Sequence, residues 1–170
     1  MKKLKLTSRR LQIAVLALVI ITPCILVLNA VTGAWAEILN LPQGITLDAS
    51  RITGAGLLAV LALGLIKPVV YIVAFLFLYK LLGLYHEGVI FTDRNVAEIR
   101  RIGWAIAFID IANMTQTLIT GPVLTFYGIS SAYLALRLEV GFLIIGLFVV
   151  LIAYVMDMGR ELKEQDKLVI

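Results

Sequence analysis

The sequence predicts an all-α fold, a four-helix transmembrane bundle with both termini in the cytoplasm. Three observations predict it. The 170 residues are 61% hydrophobic and only 15% charged, with a mean hydropathy of +1.01. A soluble domain is about 45–50% apolar and about 25% charged, so the charge here is too thin to coat a globule. Four apolar stretches reach the roughly 20 residues a helix needs to cross a bilayer core. Basic residues gather at alternate ends of those stretches, where positive charge fixes orientation. The same composition excludes a disordered chain, which is poor in apolar residues and rich in charge.

The chain, residues 1–170, reads as one domain with spans at about 11–31, 53–82, 102–121 and 138–158. Lys2, Lys3, Lys5, Arg9 and Arg10 precede the first span. Lys80, Arg94, Arg100 and Arg101 lie between the second and third, and Arg160, Lys163 and Lys167 follow the fourth. The opposite side has only Arg51 and Arg137. That asymmetry puts both termini and the middle loop in the cytoplasm. It also removes the case for nucleic acid that a pI of 9.3 would otherwise suggest, because a nucleic-acid face gathers its basic residues on one soluble element.

The first span has a rival reading as a secretory signal, with Ala34-Trp35-Ala36 resembling a cleavage site. Its apolar core exceeds the roughly 7–15 residues of a signal sequence, so a retained span is preferred. Trp35, Trp104, Tyr79 and Tyr85 fall near span ends, where amphipathic rings form interfacial belts. The first outer loop, about 32–51, is expected to be a solvated connector with a turn at Pro42-Gln43-Gly44. Gly121-Pro122 is expected to end or bend the third span. The apolar stretch after it, 122–137, either lies along the interface or dips into it.

Four polar residues stand where the average says apolar: Lys67, Asp110, Asn113 and Gln116. A charge at bilayer centre costs about 2.5–3.5 kcal/mol on the insertion scale, so Lys67 should face the bundle interior, find a partner or be neutral. Pro68 cannot donate to the carbonyl of Gly64, which makes Gly64 and Pro68 a candidate kink beside the charge. In the third span Gly103, Ala107, Asp110, Met114, Thr117 and Gly121 share one helical face, with Asn113, Gln116 and Thr120 beside it. Such a stripe should pack on another helix. By helical rise Lys67 lies about 20 Å from the inner end, level with Gln116, and Asp110 about 12 Å. A Lys67–Asp110 pair then requires the lysine to lean inward or a water between them. The competing reading is polar glue that orients the helices.

In the middle loop Gly88 breaks the chain, Thr92 is placed as an N-cap, and Val96, Ile99 and Ile102 recur at helical spacing into the third span. Arg100 and Arg101 fall at headgroup depth, where they would meet anionic lipid. The tail alternates charges and reads either as a solvated helix end or as a docking strip for the middle loop or a partner. His86 stands alone, so no metal set is expected. Cys24 is a lone cysteine in an apolar run, and no cofactor motif is present.

Two segments carry a resemblance. Gly88-x-Ile90-Phe91-Thr92-x-x-Asn95-Val96-x-x-Ile99-Arg100-x-Ile102-Gly103 and Gly159-Arg160-Glu161-Leu162-x-Glu164-x-Asp166-x-Leu168-x-Ile170 resemble the bacterial membrane family labelled domain of unknown function 2975. The resemblance implies a small four-helix, multi-pass protein of the bacterial cytoplasmic membrane, of a kind often encoded beside a small helix-turn-helix regulator. It implies no reaction, and it covers neither Lys67 nor Asp110.

Two function classes follow. The first is a non-enzymatic sensor, regulatory accessory or immunity-like protein, acting through a protein partner at the cytoplasmic loop and tail. The second is a small transporter or channel subunit, working as a homo-oligomer around the intramembrane polar residues. An enzyme is not expected: Cys24 and Ser130-Ser131 have no local base to activate them, and one histidine cannot build a metal centre. The lipid bilayer is the expected partner in either case.

Overall fold

The structure, a computed structural model, describes residues 2–89 and 92–168. Four long helices account for most of them: α1 (Lys2–Thr32), α3 (Ala55–Glu87), α4 (Asp93–Phe126) and α5 (Gly141–Leu168). A short helix, α2 (Trp35–Leu39), and one 3-10 turn, Ala49–Arg51, fill the first connection. All four long helices are long and apolar enough to cross a membrane. α1 and α4 overrun the expected spans at both ends, whereas α3 and α5 start later than expected and overrun only at their C-terminal ends, where polar and charged residues continue the helices beyond the apolar stretches.

The long helices stand in an open row rather than a closed bundle. α1 packs on α3, α3 on α4 and α4 on α5, and no other pair of long helices makes more than a marginal contact. α1 is apolar around its circumference and buries only Val15 and Ser8 among its described side chains. A helix of that kind gains little from a second protein neighbour when lipid tails are as apolar as leucine. The Ser8 hydroxyl donates to the Leu82 carbonyl, and the His86 Nδ1–H meets the Lys5 carbonyl at 3.1 Å. These contacts set the start of α1 beside the end of α3. Both termini and the α3–α4 turn therefore share one end of the row, called here the terminal end.

The apolar core sits at the far end. Leu39, Ile52, Val60, Leu63, Leu124 and Ile129 form one buried cluster, and connecting segments supply half of it. Part of the first connection is packed, with Ile38, Leu39 and Ile52 buried, while residues 40–51 are mostly exposed, as expected of a solvated connector. The expected turn is present within it, with the Ile45 amide donating to the Pro42 carbonyl and Gly44 at φ +89°.

Pro68 does not interrupt α3, and Pro122 does not end α4, which continues to Phe126. Neighbours hold both helices. Gly64 is the seat of Ile38 from α2, which occupies the space a Cβ would need, and the Tyr133 carbonyl does the same at Gly121. Residues 127–140 then fold back along the outer half of α4 in irregular, extended backbone, and α5 begins only at Gly141. Of the 122–137 stretch, the first five residues are helix and the rest runs back along α4 toward its middle, the course of the dipping alternative rather than of a segment along the interface.

Candidate functional site

Asp110 lies halfway along α4, about 25 Å from either end by helical rise. It is 3% exposed. Its Oδ2 accepts the backbone N–H of Leu143 at 2.8 Å. Leu143 is the third residue of α5, where backbone N–H groups have no partner within the helix. The first turn of α5 contains no acidic residue of its own, so a carboxylate from the neighbouring helix supplies the negative charge that a helix N-terminus favours. Close backbone approach makes this possible. A Cβ at Gly103 would lie 2.8 Å from the Gly146 carbonyl oxygen, and one at Gly146 would lie 2.5 Å from the Ala107 nitrogen. Small residues on both helices let α5 slide against α4 until its first turn meets Asp110.

The expected α4 stripe holds along its lower half, where Gly103, Ala107 and Asp110 are all buried against α5. Above Asp110 it rotates. Met114 is exposed and Thr117 half-buried, while Gln116, Thr120, Gly121 and Leu124 are buried. The reason is that α5 begins at the level of Asp110, so the upper half of α4 meets α2 and residues 127–140 instead. Gln116, 1% exposed, donates its Nε2 hydrogen to the Ile38 carbonyl at 3.5 Å. Asp110 Oδ1, Asn113 Oδ1 and Gln116 Oε1 are buried with no hydrogen-bond partner among the described residues.

Lys67 does not join this row. It lines a groove of about 230 Å³ between α1 and α3, with Thr22, Asn29, Glu37, Pro68 and Tyr71. It makes neither a hydrogen bond nor an ion pair among the described residues. None of the ion pairs among the described residues joins Lys67 to Asp110. Glu139 and Arg137 form their own ion pair at 2.6 Å. The Lys67–Asp110 pair considered from helical depth is therefore absent: α3 turns Lys67 toward α1, while α4 turns Asp110 toward α5. Sequence reasoning missed Glu139 and Tyr71. The signal for Glu139 was present, as an acid inside an apolar span boundary.

At the terminal end the motif residues build a junction. Gly88 closes α3 in the left-handed conformation at φ +84°, which an L side chain rarely adopts. Thr92 occupies the N-cap position of α4 but makes no side-chain cap. Its hydroxyl donates instead to Asn95 Oδ1 at 3.1 Å, and Asn95 Nδ2 donates to the Val89 carbonyl at 2.9 Å. Asn95 is 0% exposed, so this buried amide fixes the α3–α4 turn. Phe91 and Ile90 lie outside the described residues.

Arg100 lies over the Tyr154 ring of α5 at 5.7 Å. Arg101, one position on, faces α3 and pairs with Glu98 at 2.6 Å. In the tail, Arg160 pairs with Asp93 in the first turn of α4 and with Asp157 at 3.3 Å. Through Arg160 the tail contacts the start of α4, whereas Glu161, Leu162, Lys163 and Gln165 are exposed, as at a solvated helix end.

Comparison with known proteins gives a match to one family model and none to curated proteins or solved structures. The match covers residues 48–170, described as a protein of unknown function (DUF2975). It takes in α3, α4, α5 and the junction motifs and begins after α1 and α2, so it covers less of the chain than the four-span layout implied. Over those residues, the chain belongs to the DUF2975 family.

Proposed function

We propose that the protein is a non-enzymatic, multi-pass protein of the bacterial cytoplasmic membrane, with the terminal end in the cytoplasm. It acts there through a protein partner, as a sensor, regulatory accessory or immunity-like protein. The excess of basic residues at that end supports the orientation. The Arg160–Asp93 contact carries the functional reading. It ties the tail to the first turn of α4, so a partner that engages the tail also acts on the helix that holds α5. Affinity purification from native membranes in mild detergent tests this, with the wild type and Arg160→Ala in parallel. A stoichiometric partner should accompany the wild type and be depleted in the variant at an unchanged melting temperature. Recovery of the chain alone in both preparations overturns the proposal.

A second reading, an oligomeric transporter or channel subunit, is favoured by the three partnerless acceptor oxygens of Asp110, Asn113 and Gln116. Polar groups at mid-depth beside an interrupted helical path are a transporter device, and α5 starts at that depth after residues 127–140. Ion flux through vesicles carrying the wild type, Lys67→Met or Asp110→Asn decides it. Flux that falls in either variant supports transport; equal flux in all three, or none in any, counts against it.

A further inference from the structure

We propose that the groove between α3 and α4 at the terminal end is a binding site for a phospholipid with a primary-amine headgroup. Two adjoining cavities between these helices share Arg101 in their walls. The deeper one, about 450 Å³, is walled by apolar side chains, among them Val73 and Phe77 of α3 and Trp104, Phe108 and Ile111 of α4. The one nearer the end of the row, about 420 Å³, is lined by Lys80, Glu87, Arg94, Glu98 and Arg101. On each helix these residues recur at spacings of three and four, so one continuous furrow changes from apolar to charged at Arg101.

Its dimensions fit one leaflet. From Arg101 to Ile111 along α4, and from Lys80 to Val69 along α3, is about 15 Å by helical rise, half of a hydrocarbon core of about 30 Å. An acyl chain lying in the apolar part therefore brings its headgroup to the charged part. Three cations there would receive the phosphate. Lys80 and Arg94 have no ion-pair partner among the described residues, and Lys80 is held 5.9 Å from the Phe77 ring, at the boundary between the two parts.

The carboxylates select the headgroup. Glu98 is 9% exposed, and while its Oε1 accepts from Arg101, its Oε2 is buried without a partner. An orphan carboxylate oxygen in a headgroup cavity calls for a charged donor. A primary ammonium supplies both charge and N–H. A quaternary ammonium has no hydrogen to give, and a glycerol headgroup has no positive charge to set against Glu87 and Glu98. A cavity carrying both signs of charge thus matches a headgroup carrying both.

The inference rests on the membrane placement proposed above and is independent of any protein partner. Trp104 lines the groove and is its own reporter once Trp35→Phe removes the other tryptophan. This single-tryptophan chain is reconstituted in phosphatidylcholine nanodiscs, and brominated phosphatidylethanolamine, phosphatidylglycerol or phosphatidylcholine is added at equal mole fraction. Brominated phosphatidylethanolamine should quench Trp104 with an affinity about fivefold above phosphatidylcholine, the scale of one charge-assisted hydrogen bond, and above phosphatidylglycerol. Glu98→Gln, which keeps the shape of the side chain, should bring the ethanolamine preference close to one, and Arg101→Gln should weaken all three probes, since each carries the phosphate. Equal quenching by all three lipids, or a preference for phosphatidylglycerol, overturns the site. Absence of quenching by any lipid instead overturns the membrane placement.

Discussion

Gly103→Leu is expected to separate α5 from α4 and to cost about 3 kcal/mol or more, at the upper end for overpacked interiors. A Cβ at Gly103 would lie 2.7 Å from Val150 Cγ2, but also 2.8 Å from both the Gly146 carbonyl oxygen and the Val150 nitrogen. A side-chain methyl can rotate away; helix backbone cannot, so the whole of α5 must move. Gly146 faces the mirror situation, with the Ala107 nitrogen and the Gly103 oxygen each 2.5 Å from its would-be Cβ. The two glycines form one contact, and either substitution should break it. Thermal unfolding in detergent measures the effect, with Gly103→Ala lowering the midpoint less than Gly103→Leu. Gly159→Ala is the matched control. It lies in α5, like Gly146, with nothing within 4 Å of a would-be Cβ, so it should be neutral or stabilise by about 0.5–1 kcal/mol through helix propensity alone. A destabilisation of similar size at Gly159 would show that the cost at Gly103 comes from something other than the α4–α5 contact.

That contact was partly legible in the sequence, and the limit is physical. Spacing at 100° per residue put Gly103, Ala107 and Asp110 on one face of α4, and they pack as that face predicts. The same spacing put Met114 and Thr117 on it too, and there it failed. Periodicity describes a helix against a uniform partner, whereas α4 changes partners at Asp110. The cause lies in residues 127–140, whose apolar composition did not decide whether they would run back along α4. Helical depth likewise placed Lys67 near the polar row of α4 without giving the rotation of α3 about its own axis. That rotation is set by Ile38 seated on Gly64, a contact between residues far apart in the chain and invisible to local pattern. At the terminal end the motif residues were visible one by one. What they do, an amide bridging to Val89 and an arginine reaching Asp93, follows only from how the turn and the tail meet.

Asp110→Ala should destabilise the protein by about 2–3 kcal/mol, because it leaves the Leu143 N–H buried without an acceptor and removes the carboxylate that accepts from the first turn of α5. Asp110→Asn keeps an acceptor and loses the charge–dipole attraction, up to about 2 kcal/mol in a partly buried setting, so it should fall between alanine and the wild type. Amide hydrogen exchange is the sharper readout. In Asp110→Ala, exchange at Leu143 should accelerate by roughly thirtyfold or more, the factor matching about 2 kcal/mol. Exchange in the α3–α4 turn, held by Asn95 rather than by Asp110, should not change. Lys67→Met is the informative partner variant. If Lys67 and Asp110 were a pair, removing either would leave the other charge uncompensated, and the double variant would cost less than the two single changes together. In the observed arrangement Lys67 faces the α1 groove and Asp110 caps α5, with no ion pair or hydrogen bond between them among the described residues. Their effects should then add within about 0.5 kcal/mol, as for sites that share no partner. A coupling beyond that would return the two residues to a single site and favour the transport reading over the partner-binding one.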